Sequence, residues 1–229
     1  MKTKFGSIIV AGSGKIGGHV ASKNRSGSYL RTKTTPVNPQ STSQTLARNR
    51  LATLATAWKA LTAAQNAAWN AAVKDYKGTN VFGDVVLPTG FNLFCQLNIN
   101  LARVGVAQIS SPPAPIALPA PVLGAIIADL SPQTLTAAYT PTPVAAGMAY
   151  MFEATPCMSP GRSFVKNDFR FLLMADAAAA SPVDLTATYT VKFGAVGPVG
   201  SKVFIRCTAI SKTTGQRGIP VVGSTVVIA

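Results

Sequence analysis

The sequence predicts a multi-domain α+β protein with an extended glycine-rich N-terminal arm, a short helical bundle and then an all-β sandwich. Three observations predict it. Glycines and basic residues are frequent in the first forty residues, and apolar side chains at helical spacing follow them. Short runs of alternating apolar and polar residues then follow a proline-rich stretch. The chain has 229 residues, more than the roughly 100–150 of a common domain, which also favours several units. We place the arm, the helical domain, a proline-rich linker and the sandwich at residues 1–40, 41–108, 109–121 and 122–229.

The arm combines glycines with short apolar islands such as Ile8-Ile9-Val10 and Tyr29-Leu30. Glycine permits tight turns but buries almost no apolar area, so the arm should be extended or form hairpins. We expect it to be disordered in the isolated protein and to become ordered on assembly, because little burial offsets the entropy of ordering.

Helical periodicity begins after Ser41 or Thr42, either of which can cap a helix. The first helix carries one apolar stripe at spacings of 4, 3, 4 and 3, formed by Ala47, Leu51, Leu54, Trp58 and Leu61. A capping box of Thr62 and Gln65 starts a second helix, which contains Trp69 and ends near Gly78. A third helix is predicted from Phe91 to Leu101, with Thr89 as its cap.

The linker holds five prolines in thirteen residues, which excludes both a helix and a central strand there. The alternating runs beyond it predict roughly seven antiparallel strands. Six of these runs are Thr134–Tyr139, Ala149–Ala154, Asp168–Leu173, Leu185–Val191, Val203–Ile210 and Val221–Ile228. Their order resembles an immunoglobulin or fibronectin type III module, a resemblance of architecture that implies nothing about ligands.

The charge is concentrated at the N-terminus. Residues 1–83 contain twelve basic side chains and one acid, a net charge of +11, whereas residues 84–229 have a net charge of +3. Such a field attracts phosphates or an acidic protein surface. No apolar run approaches the roughly 18 residues that span a bilayer, and none is long enough for a signal peptide, so we expect no membrane partner and synthesis in a cytoplasm.

No motif in the chain supports catalysis, a metal or a cofactor. Gly12-Ser-Gly14-Lys15 lacks the glycine and the hydroxyl residue that a phosphate-binding loop needs at its flanks. His19 is the single histidine, and the seven acids are scattered. The three cysteines fit no disulfide framework or zinc motif and predict buried thiols, although a Cys157–Cys207 bridge stays open. We therefore expect no catalytic residue and no enzyme.

Basic side chains around one tyrosine form the candidate partner-binding set. Its members are Lys15, Lys23, Arg25, Tyr29, Arg31, Lys33, Arg48 and Arg50. A protein interface is the favoured interpretation, and phosphate contacts with base stacking on a nucleic acid are the alternative. Trp58 and Trp69 are interpreted as core residues.

The first 76 residues contain an ordered series of motifs. It runs from Gly14-Lys-Ile-Gly17 through Tyr29-Leu-Arg31 and Pro36-Val-Asn-Pro39 to Trp58-Lys-Ala-Leu-Thr62-Ala-Ala-Gln65-Asn-Ala-Ala-Trp69. This series resembles the N-terminal region of poorly characterised proteins from tailed-phage and prophage genomes. The resemblance implies a virion structural role, with the arm threaded between neighbouring subunits.

From this resemblance we expect a capsid-associated cement or decoration protein, located in the virion and forming homo-oligomers or binding to a lattice of capsid, neck or tail subunits. The resemblance leaves a neck or tail position open, and the basic charge leaves a DNA-associated protein as a further alternative. It covers about a third of the chain and supplies no catalytic residues.

Overall fold

The computed structural model describes residues 12–35, 37–80 and 82–229, which combine helices with several antiparallel sheets. The chain forms two compact units. The first comprises the described residues up to Cys95 together with Ser110–Pro112, and the second comprises Gln96–Ile109 and Pro113–Ala229. The mixed α+β prediction is therefore confirmed.

The described part of the arm contains a three-stranded antiparallel sheet in the order β1 (Gly14–Ile16), β2 (His19–Asn24) and β3 (Gly27–Thr32). Two-residue turns join the strands, and a φ of +55° at Gly17 suits glycine in the first of them. The prediction of a hairpin-forming arm is confirmed for these residues, and a single extended strand is excluded. The island at Ile8-Ile9-Val10 lies outside the described residues.

The helices begin where local capping predicts. Helix α1 (Thr42–Ala60) is capped by Ser41, whose side chain accepts a hydrogen bond from the amide of Gln44. Helix α2 (Ala63–Ala72) carries the complete capping box of Thr62 and Gln65. Helix α3 (Gly90–Arg103) starts after Thr89, whose hydroxyl accepts from the amide of Asn92 at 3.1 Å.

Helix α2 ends earlier than its sequence suggests. A short 3-10 turn, Val73–Asp75, follows it, and Gly78 lies in strand β4 (Gly78–Thr79) rather than at a helix C-cap. Strand β4 pairs with β5 (Val85–Val86) in a small hairpin.

Aromatic side chains form the centre of the helical unit. Trp58 packs its ring against Phe91 and Phe94, with ring centroids 5.7 and 5.4 Å apart. Trp69 is fully buried at right angles to Phe94, and its indole Nε1 donates to the carbonyl of Ser110 at 2.8 Å. The core assignment is confirmed for Trp69, and Trp58 is partly buried.

Two sheets of the second unit enclose one core. Strands β6 (Val122–Asp129), β7 (Thr134–Thr140) and β10 (Val183–Asp184) form one sheet in the order β10-β7-β6. Strands β8 (Met148–Ala154), β9 (Arg170–Ala175), β11 (Lys202–Ser211) and β12 (Val221–Val226) form the other in the order β12-β11-β8-β9. Both sheets contribute fully buried side chains, among them Leu135, Tyr139, Tyr150, Phe152, Ile205 and Cys207.

One predicted strand is wrong. Leu185–Val191 contains β-branched residues in alternation, yet the structure forms helix α4 (Thr186–Phe193) there. Leu185 and Tyr189 are both completely buried, and residues four apart share one face of a helix. Burying both side chains in the core overrides the strand propensity of the threonines, so the second unit is not all-β.

The second half of α3 packs in the second unit. Val104, directly after the helix, belongs to a small core with Ala149, Met151 and Ile210. Asn100 donates from its side-chain amide to the carbonyl of Gly215 at 2.8 Å. Helical residues before the predicted linker thus take part in the packing of this β-rich unit.

The linker at 109–121 has no helix or strand, as its prolines predict, but it is anchored. The amide of Ile109 donates to the side chain of Asn98 at 2.7 Å, and the amide of Ile116 donates to Gln216 at 2.8 Å. It is therefore an attached segment of the second unit along much of its length.

Candidate interaction surface

One face of the N-terminal sheet brings together three of the predicted site residues. Lys15 pairs with Val20, and Val20 pairs with Arg31, so these three side chains form one row across the sheet. Tyr29 lies two residues before Arg31 and therefore on the same face. This face carries two cations beside a partly buried aromatic ring.

The other basic residues of the sheet are distributed around it. Lys23 lies on the opposite face, Arg25 is in the turn between β2 and β3, and Lys33 follows the end of β3. All three side chains are exposed. The sheet is thus surrounded by positive charge and does not concentrate it in one pocket.

Arg48 and Arg50 lie on the exposed first half of α1. Every residue from Thr42 to Thr53 is exposed, and Leu46 and Leu51 keep 52% and 50% of their surface accessible. Residues two apart point to different sides of a helix, so the two arginines do not form one cluster. Arg48 donates to the side chain of Asn38 at 2.7 Å.

Acidic residues do not neutralise these cations. The sequence contains no acid before Asp75, and none of the seven basic candidates forms an ion pair with a described residue. The second unit differs, since Arg162 pairs with Asp168 and Lys212 with Asp176 there. The positive field of the first unit is available to an external anion.

The cysteines are free thiols, and the Cys157–Cys207 bridge that the sequence left open is absent. Burial raises the pKa of Cys207 to about 12, so its thiol stays protonated and inert. Cys157 accepts a hydrogen bond from the amide of Gly197 at 2.9 Å and lies 3.3 Å from the hydroxyl of Tyr189. These contacts are structural, and no base adjoins the thiol among the described residues.

Within the described ranges, no group of three or more His, Cys, Asp or Glu side chains could hold a metal ion. His19 is exposed at the start of β2, opposite Thr32. No described helix is both long and apolar enough to cross a bilayer.

Sequence reasoning missed the exposure of Leu46 and the half-exposure of Leu51. The apolar stripe on α1 predicts a packed face, but only Leu54 of this helix is fully buried. Periodicity identifies an apolar face without showing whether the same chain covers it.

Comparison with known proteins adds no relative. No protein-family model matches the chain, and no curated protein and no solved structure matches it.

Proposed function

We propose that this chain is a structural protein of a tailed bacteriophage particle, most specifically a capsid-associated cement or decoration protein anchored by its N-terminal unit. The resemblance of the first 76 residues to phage and prophage proteins supports a location in the phage particle. The basic surface supports anchoring through the N-terminal unit. In this proposal the two-sheet unit, an immunoglobulin-like module with helix α4 inserted, projects from the particle or bridges its subunits. The chain is made in the host cytoplasm and acts as a homo-oligomer or as a subunit bound to a lattice.

The exposed first half of α1 is the observation that carries the proposal. Helices in proteins gain most of their stability by packing an apolar face, yet Thr42 to Thr53 are exposed throughout. Docking would bury the exposed apolar surface of Leu46 and Leu51 away from water. Such burial stabilises a complex by about 25 cal/mol per Å². A partner subunit would supply the missing packing.

Charge indicates which kind of partner would fit. A second copy of the first unit would bring like charges together, because this unit has no acid before Asp75. An acidic subunit surface would neutralise the cations of the sheet and of α1 and speed association. Homo-oligomers would therefore form through the second unit or through a shared lattice.

Mass spectrometry of particles purified from the strain that encodes the chain tests the proposal directly. Hundreds of copies per particle would support a capsid position. About six or twelve copies would support the alternative of a neck or tail ring. Absence from purified particles, with the protein abundant in the lysate, would contradict both.

A DNA-associated protein is the second candidate, and one observation favours it. Tyr29 shares a sheet face with Lys15 and Arg31, an arrangement that allows a base to stack while phosphates contact the cations. Binding of this kind would weaken steeply with salt.

A set of charge variants separates these two functions. Replacing four cations of the sheet region by serine should lower incorporation into particles and leave the fold intact, because all four are exposed: Lys23, Arg25, Arg31 and Lys33. A matched control removes four exposed cations elsewhere: Lys74, Lys77, Lys166 and Lys192.

The readouts are copy number per particle and affinity for duplex and single-stranded DNA. We expect the first variant to lose incorporation and the control to keep it. Wild-type copy number together with selective loss of DNA binding would assign the basic region to nucleic acid and refute its proposed role as the anchor to the particle.

A further inference from the structure

The four-stranded sheet of the second unit has a charged face opposite its core face. Tyr150 and Phe152 on β8 point into the core, so Met151 and Glu153 lie on the other face. Arg206 on β11 is paired with Glu153 across the strands and shares that face.

Glu153 and Arg206 neutralise each other. Both the Nε and Nη2 atoms of Arg206 donate to Oε2 of Glu153, at 2.7 and 2.6 Å. The guanidinium carbon of Arg206 also lies 4.3 Å from the ring centroid of Phe169. With a carboxylate and an aromatic ring as partners, Arg206 is held in place within the protein.

Two further arginines at this face have no carboxylate partner among the described residues. Arg103 is the last residue of helix α3, and within the described part of the chain its guanidinium donates to the weak acceptor Sδ of Met151, at 3.8 Å. Arg217 is bridged through its backbone to Ile210 on β11, and its side chain makes no ion pair or hydrogen bond with a described residue. Among the described residues, Glu153 therefore pairs with one of the three arginines, and the other two have no carboxylate partner.

Contacts and strand register place these groups on one face, because Met151, which Arg103 contacts, pairs with Thr208 on β11, and Arg217 is bridged to Ile210 two residues further along that strand. Partial burial lowers the pKa of Arg217, the charges of Arg103 and Arg206 lower it further, and Glu153 opposes them. Arg217 nonetheless remains exposed enough to reach solvent. An external anion placed between Arg103 and Arg217 would relieve this repulsion.

Apolar side chains also lie at this surface. Ile219 and Val222 are 75% and 49% exposed beside the arginines, and Val222 is directly opposite Arg206 in the sheet. A protein segment would cover these apolar groups, whereas a phosphate backbone would not.

We propose that this face, defined by Arg103, Arg206, Arg217, Ile219 and Val222, binds an acidic segment of a partner protein. Carboxylates of the segment pair with the guanidinium groups of Arg103 and Arg217, and its apolar side chains cover Ile219 and Val222. Arginine suits this role because its planar guanidinium donates two parallel hydrogen bonds to the oxygens of one carboxylate. The inference is independent of the phage proposal, since binding is measured on the purified protein alone.

The test uses a fluorescent oligo-glutamate peptide and the full chain. Because the basic first unit also attracts such a peptide, every protein carries the four serine substitutions at Lys23, Arg25, Arg31 and Lys33. Into this background we introduce R103S and R217S together, with K166S and K192S as a control of equal charge loss in the same unit.

We expect R103S/R217S to weaken peptide binding by about tenfold or more, equivalent to roughly 1.4 kcal/mol, while the control changes affinity little. An equal loss in both variants, or none in R103S/R217S, would overturn the proposal. Duplex DNA or inorganic phosphate that competes as well as free oligo-glutamate would also overturn it, in favour of a phosphate ligand.

Circular dichroism verifies that each variant is folded. If the serine variant does not fold, R103K/R217K provides the same test, because lysine keeps the charge but loses the bidentate fork. A measurable fall in affinity for the lysine variant supports the proposal, and unchanged affinity contradicts it.

Discussion

The N-terminal region, formed by its sheet and the first half of α1, differs from the core of the two-sheet unit in the burial of its leucines and the pairing of its cations. In the two-sheet unit leucines such as Leu135 are fully buried, and cations such as Arg206 and Lys212 have carboxylate partners. In the N-terminal region Leu46 and Leu51 remain about half exposed, and the cations have no acid nearby in sequence. This difference teaches that the first half of α1 and the N-terminal sheet leave apolar and charged side chains exposed, whereas the core of the second unit buries such leucines within its own chain.

The largest expected effect is a difference in amide exchange between the two regions of the isolated protein. Strand β11 lies inside a sheet and beside a buried core, so its amides should exchange only on global unfolding of that unit. Amides of β2 should exchange at least about a thousandfold faster, because little apolar burial stabilises the three-stranded sheet. Hydrogen exchange followed by mass spectrometry measures this difference. Equal protection of the amides of β2 and β11 would contradict the expected difference in stability between the two regions.

A matched pair of leucine substitutions gives the next largest effect. Leu135→Ala should lower the free energy of unfolding by about 2–5 kcal/mol, because it leaves a cavity in a closed core. Leu51→Ala should change it by less than about 0.5 kcal/mol, because Leu51 is half exposed.

Urea denaturation followed by circular dichroism measures both variants. Trp58 and Trp69 both lie in the first unit, so tryptophan fluorescence reports that unit separately. A large loss for Leu51→Ala would show that α1 is already packed in the isolated chain.

Two fragments test where the second unit begins. A fragment of residues 122–229 should fold alone because it contains both sheets, and a fragment of residues 96–229 should be more stable by about 2 kcal/mol. The longer fragment keeps the Asn100 hydrogen bond, worth about 1 kcal/mol, and the buried surface of Val104. Thermal melting compares the two. Equal melting temperatures would show that the end of α3 adds nothing to the second unit.

The smallest expected effect concerns the start of helix α4. Asp184 accepts hydrogen bonds from the side chain and the amide of Thr186, and these bonds lower its pKa below 3.8. Because the pKa is lower in the folded state, this stabilisation is present above about pH 4 and disappears as the pH falls through the folded value.

Comparing Asp184→Asn with the wild type between pH 7 and pH 2 isolates the contribution of the Asp184 carboxylate to the stability of the fold. The difference in melting temperature should be small at neutral pH and should vanish in acid. A difference that persists unchanged at pH 2 would contradict the charge-dependent origin.

Local chemistry made the helices predictable from sequence. The caps at Ser41, Thr62 with Gln65, and Thr89 act within three residues of a helix start, so the short-range sequence contains the whole interaction. Strands such as Met148–Ala154 and Lys202–Ser211 were also predictable, because their pattern matches a sheet environment. The concentration of charge at the N-terminus follows from the sequence alone.

Only the tertiary structure decided the remaining features. Residues 186–193 form a helix because Leu185 and Tyr189 both reach the core, which no local propensity expresses. The arginine cluster joins Arg103 to Arg206 and Arg217, residues that are brought together by sheet register and by the packing of α3. The sequence determined the elements whose interactions span a few residues, and the fold determined those whose partners lie a hundred residues away.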